Sequence, residues 1–118
     1  MDQPIKPSEI RLSKDKKLLT VTFSDQAVFE FEAELLRVRS PSAEVQGHSP
    51  DQRILVSGKK NVGIMKMHPI GNYAVRIEFD DMHNTGIFTW EFLYGLGLKK
   101  DEEWATYEAE LSDAGMNR

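Results

Sequence analysis

The chain has 118 residues, a mass of 13.5 kDa, no cysteine and a formal net charge of −4 at pH 7. That length suits a single domain, and the missing cysteines exclude disulfides, thiolate metal sites, self-held iron–sulfur clusters and cysteine nucleophiles. Hydrophobic residues make up 40% and charged residues 29%, as in globular chains, and a pI near 5.4 argues against nucleic-acid binding, which needs a basic face.

Met1–Pro7 contains neither the apolar core nor the arginine-rich stretch of a targeting segment. No run of ~18 apolar residues occurs, so the sequence predicts no membrane span and a cytoplasmic location. Glu9–Ser13 is a short predicted strand, followed by a polar turn at Lys14–Lys17. Leu19, Val21 and Phe23 alternate with Leu18, Thr20 and Thr22, the period of a half-buried strand. The turn residues Ser24-Asp25-Gln26 lead into a second alternating run, Ala27–Glu32, and the two form a predicted antiparallel hairpin. Ala33–Val38 switches to helix formers, and Ser40-Pro41 ends that helix.

Ser40–Arg53 contains Pro41, Gly47 and Pro50 and reads as a long irregular loop. Ile54–Ser57 and Val62–Ile70 are predicted strands joined by a hairpin turn at Gly58–Asn61. The second alternates poorly, because Val62 and Ile64 share a face with Lys66 and His68. This pattern places it at a sheet edge or beneath a covering helix. Tyr73, Val75, Ile77 and Phe79 then alternate cleanly, and the Asp80–Gly86 turn returns the chain into Ile87–Thr89. Thr89 caps a predicted helix over Trp90–Leu96, with Gly97 beyond its end. Asp101-Glu102-Glu103 opens a last helix, whose Trp104, Tyr107, Leu111 and Ala114 share one face. Gly115–Arg118 is expected to fray.

The sequence Val21–Asp25, Phe29–Phe31, Glu34–Leu36 is echoed by Ile77–Asp81, Ile87–Thr89, Glu91–Leu93. Both copies read strand, Asp-bearing turn, strand, helix, and the second turn is the longer. The predicted fold is therefore α+β: a mostly antiparallel sheet built from two hairpin–helix units, with a C-terminal helix.

Three histidines carry whatever metal or acid–base chemistry the sequence offers: His48 in the long loop, His68 on the irregular strand and His83 in the second turn. Asp80 and Asp81 stand beside His83, and imidazole with carboxylate suits zinc or iron. The spacing matches no metal motif such as His-Glu-x-x-His. Ser57-Gly58-Lys59-Lys60 lacks the upstream glycine of a phosphate-binding loop, and no serine has a nucleophile-elbow context. The run from Asp80 to Trp90 is more polar than a hairpin turn needs, which makes it the strongest candidate site.

Leu35–His48 resembles the first signature of the gamma-butyrobetaine hydroxylase-like N-terminal domain family. Pro69–Ile77 and Phe79–Trp90 resemble the second. The resemblance runs from Ile10 to Gly97 and is nearest to short stand-alone bacterial members of unassigned function. It divides the chain into an extension at 1–9, the family domain at 10–97, and a C-terminal helix and tail at 98–118. In the carnitine-pathway hydroxylases this domain precedes the oxygenase domain and holds zinc through three cysteines and one histidine. His83 matches that histidine, whereas Ser40, Ser42 and their neighbours stand where the cysteines cluster. The resemblance thus implies neither the family's three-cysteine zinc site nor oxygenase activity, whose iron site lies in a domain this chain lacks.

The same module is fused to some P-loop iron–sulfur carrier proteins, which implies an accessory role. Three functions follow as expectations. One is a non-enzymatic module docking a protein partner, linked to iron or iron–sulfur metabolism. The second is a zinc- or iron-binding domain using His83 and His48 with Asp81 or Asp80. The third is a small enzyme with His83 and Asp81 as an acid–base pair.

Overall fold

Alternation of buried and exposed side chains builds the first sheet. The computed structural model describes residues 5–46 and 54–118. Strands β1 (Pro7–Leu12), β2 (Leu18–Phe23) and β3 (Val28–Glu32) pair antiparallel in the order β1-β2-β3. Leu19, Val21 and Phe23 of β2 are fully buried, and Leu19 lies opposite Phe31 across the ladder. Helix α1 (Ala33–Val38) follows without a break, as its run of helix formers predicts.

The second sheet repeats this plan. Strands β4 (Ile64–Ile70), β5 (Ala74–Phe79) and β6 (Gly86–Thr89) pair antiparallel in the order β4-β5-β6. The predicted sheet is thus two three-stranded sheets, each feeding a helix. Both contribute to one core, in which Val21, Phe31 and Leu36 meet Ile64, Ile77, Phe79 and Phe88. The poor alternation of β4 has a local cause. Its register slips between Ile64 and Lys66, so Ile64 faces Phe79 and Met67 faces Ile77. One extra residue at this β-bulge brings Ile64 and Met67 to the same inner face. As predicted, β4 is an edge strand.

Three expectations fail between these units. A short helix α2 (Ala43–Gln46) interrupts the predicted loop, whose residues 47–53 lie outside the described residues. Ile54–Ser57 is not a strand, and Gly58–Asn61 therefore closes no hairpin. Adjacent Leu55 and Val56 pack against Val38, Tyr107 and Leu111 instead of alternating across a ladder.

Helix α3 (Trp90–Leu98) begins where predicted, with Thr89 Oγ1 accepting the Phe92 N–H at 3.1 Å. It runs past Gly97, which does not stop it. A Cβ at Gly97 would collide with the Phe29 ring, so the glycine lets the helix approach β3 closely. Helix α4 (Lys100–Asp113) buries Tyr107 and Leu111, while Ala114 lies exposed at its cap. The tail beyond α4 is not a fraying end. Gly58 N–H donates to Asn117 O at 3.1 Å, and Arg118 pairs with Glu34. Among the described residues no helix is long and apolar enough to cross a membrane.

Candidate functional site

The two Asp-bearing turns share one hydrogen-bond pattern. Asp25 Oδ1 accepts the Ala27 N–H at 3.0 Å, and Asp81 Oδ1 accepts the His83 N–H at 3.2 Å. Phe23 N–H donates to Ala27 O as Phe79 N–H donates to His83 O, both at 2.8 Å. Gln26 and Met82 hold the same left-handed conformation, φ 74° in each. Each aspartate shapes its turn by bonding the backbone two residues on. The two additional residues of the second turn, Asn84 and Thr85, come after this shared frame, between His83 and β6.

His83 is buried at the closed end of its turn and stacks obliquely near Phe79, 6.0 Å between ring centroids. Its Nε2 is hydrogen-bonded to Ser40 Oγ at 3.0 Å, just beyond α1. Ser40 Oγ also accepts the Ser42 N–H at 3.3 Å, and Ser42 Oγ shares a 2.6 Å hydrogen bond with Thr85 Oγ1. Both serines are buried, and Gly86 presses so closely on Ser40 that a Cβ there would clash with its hydroxyl. The fold therefore does bring the two family signatures together, serine chain against histidine turn.

Asp81 faces a different set of partners. Arg37 Nε donates to its Oδ2 at 2.7 Å, and Lys59 Nζ donates to the same oxygen at 2.6 Å. Burial opposes the carboxylate's charge, but the hydrogen bonds from Lys59, Arg37 and the His83 backbone outweigh it and lower its pKa to about 2. The hydrogen bond from Asp81 to His83 runs to the backbone N–H. Asp80 is exposed, and its backbone N–H donates to Gly63 O at 2.9 Å. His68 lies on the outer part of β4, paired with Glu78 at 2.9 Å. His48 lies outside the described residues.

Sequence reasoning did not single out Arg37 or Lys59, nor the other charges on and just after α1. Arg39 is buried and bonds Glu103 at 2.9 Å and Glu110 at 2.8 Å, which clamps α4 to the end of α1. Glu34, also buried, accepts the Tyr107 hydroxyl at 3.0 Å. A helix of six residues flanked by two sheets has no wide solvent face, so charges within it must find partners inside the fold. That was the available signal: three charged residues, Glu34, Arg37 and Arg39, interleaved with Leu35, Leu36 and Val38.

The three-cysteine, one-histidine zinc set does not fit these residues. Hydroxyls are poor zinc ligands, and those facing His83 and Thr85 are joined to them by hydrogen bonds. Among the described residues, no group of three His, Cys, Asp or Glu side chains is arranged to hold a metal ion.

Residues 10–94 match the family described as gamma-butyrobetaine hydroxylase-like, N-terminal. Two proteins with NMR solution structures are similar over nearly the whole chain. One is 48% identical with a TM-score of 0.83, covering 96% of this chain and 89% of its own. The other is 41% identical, also with a TM-score of 0.83, covering 98% and 86%. A crystal structure from Acidithiobacillus ferrooxidans, of a protein with unknown function in the DUF971 family, is 37% identical with a TM-score of 0.64. That match covers 78% of this chain and 92% of the other. No curated protein matches the chain.

Proposed function

This chain belongs to the gamma-butyrobetaine hydroxylase-like N-terminal family, and on that premise we propose that it is a non-enzymatic accessory module that docks a protein partner. The observation that carries this reading is how the candidate site's polar groups are employed. Asp81 is engaged by Arg37 and Lys59, Ser40 by His83, and Ser42 by Thr85. These bonds join α1 and the chain after it to the second sheet, and they fix one relative placement of the two hairpin–helix units. Groups used in this way supply rigidity to a surface rather than ligands to a metal or an acid–base pair to a substrate. A link to iron or iron–sulfur metabolism rests on the company the module keeps elsewhere in its family, and a cytoplasmic setting is part of the same proposal.

The test is recovery of a defined partner. Purified domain, cross-linked in native lysate, should capture one protein that re-forms an equimolar complex when both are purified. Failure to find such a protein under several conditions overturns the reading. So does stoichiometric zinc or iron in tag-free protein by elemental analysis, lost in His83→Ala.

A further inference from the structure

Arg118 occupies a socket built from Glu34 of α1 and Trp104 of α4. Its guanidinium lies over the Trp104 indole, with its central carbon 4.8 Å from the ring centroid. In the plane of the guanidinium, Nη2 donates to Glu34 Oε1 at 2.8 Å, and Nε lies 3.2 Å from each carboxylate oxygen. Glu34 is 3% exposed, and its Oε2 also accepts the Tyr107 hydroxyl. A buried carboxylate at the edge and an aromatic face alongside is the arrangement that recognises a planar guanidinium, and it suits an ammonium less well.

The segment carrying Arg118 is held to the body by few bonds. Met116 N–H donates to Leu111 O, and Asn117 O accepts the Gly58 N–H. Trp104 also lines a cleft of about 460 Å³, together with Leu35, Glu30, Glu32, Asp101 and Glu108. Lys100, the cation at this cleft, turns its ammonium onto the Glu30 carbonyl at 2.7 Å. The cleft shares Trp104 with the socket and has a mixed apolar and acidic lining, whereas Lys60 stands on the other side, near Arg118 and Glu34.

We propose that this socket and cleft dock an arginine-bearing basic segment of a partner protein, whose guanidinium replaces Arg118 on Glu34 and Trp104. The inference rests on the accessory-module reading and names the chemistry of the partner. Arg118 acts in it as an internal occupant: it satisfies the Glu34 charge in the free protein, which would otherwise be buried unpaired, and yields to a competing guanidinium. Four carboxylates around the cleft supply the attraction for the flanking basic residues.

The probes are the peptides acetyl-Gly-Arg-Arg-Gly-amide and its lysine counterpart, titrated into the full chain while the Trp104 indole N–H is followed by NMR. The arginine peptide should bind Arg118→Ala at least tenfold more tightly than wild type, and the lysine peptide at least tenfold more weakly than the arginine peptide. Adding Glu34→Gln to Arg118→Ala should abolish the response. A folded Arg118→Ala protein that ignores the arginine peptide, or answers both peptides equally, overturns the proposal. Should Arg118→Ala not fold, wild type carries the test: the arginine peptide must displace the Arg118 Nε–H resonance, and an unmoved resonance overturns it. A dimer formed by mixing Arg118→Ala with Glu34→Gln makes the occupant a second copy and overturns the partner assignment. A captured partner that binds Glu34→Gln and Trp104→Ala as tightly as wild type overturns the docking site, while the accessory reading stands.

Discussion

His83 Nε2 and Ser40 Oγ, 43 residues apart in sequence, meet at 3.0 Å in the interior. This contact closes the second hairpin turn onto the end of α1. Removing the hydroxyl leaves the ring nitrogen without this bond. Ser40→Ala should cost about 1 kcal/mol, the usual worth of one hydrogen bond. His83→Ala, which also empties space beside Phe79, should cost about 2–3 kcal/mol. Urea denaturation of both variants measures the difference.

Chelation offers a separate check on the same contact. If hydrogen bonds alone hold His83 in place, excess EDTA should leave the melting temperature of tag-free protein within about 1 °C of the untreated value, because nothing that binds the native state is withdrawn. A drop of several degrees, restored by adding zinc or ferrous iron, would show a resident metal.

Asp81 makes stability depend on acid in a defined window. Its pKa is lowered from 3.8 to about 2, so the folded state prefers the ionised carboxylate. That stabilisation is fully present above the unfolded value near 3.8 and is lost as pH falls toward 2. Asp81→Asn should therefore destabilise by about 1–3 kcal/mol at pH 7, leaving Arg37 and Lys59 without their shared anion. The gap between variant and wild type should close as pH approaches 2. A gap independent of pH would assign the loss to packing.

Tyr107 governs the alkaline limit. Burial, then the charge of Glu34 beside it, raises its pKa from 10.0, so the folded state holds the phenolic proton more firmly. Its contribution is complete below pH 10 and is lost as pH rises beyond it. Tyr107→Phe should cost about 1–2 kcal/mol at neutral pH, through the lost bond to Glu34. Stability measured from pH 9 to 11 should fall less steeply in this variant than in wild type.

Two glycines of α3 predict opposite signs for one substitution. Gly95 has open space around its Cα, whereas a Cβ at Gly97 would strike the Phe29 ring. Gly95→Ala should stabilise the protein by up to about 1 kcal/mol through helix propensity. Gly97→Ala should destabilise it by about 1–3 kcal/mol, because the packing conflict outweighs that gain. Thermal melts of the pair settle the point.

The sequence by itself determined the β2–β3 and β5–β6 hairpins, helix α1, the Thr89 cap and the family, because those depend on residues close together in the chain. Alternation in Leu18–Phe23 and Tyr73–Phe79 is a property of neighbours, and so is an aspartate bonding the backbone two residues on. The mistakes share a different cause. Gly97 reads as a helix end until Phe29, 68 positions earlier, is seen packed against it. Leu55 and Val56 read as a strand until α4 supplies the apolar surface they cover. Arg118 reads as a loose end until Glu34, 84 residues away, is found buried beneath it. The candidate site divides the same way: His83 and Asp81 were legible as an unusually polar turn and Ser40 through the family resemblance, but Arg37 and Lys59, the partners of Asp81, were not. Only the tertiary structure decided those pairings, since a buried charge or hydroxyl must be satisfied by whatever the fold brings near it, and proximity in space leaves no periodic trace in the chain.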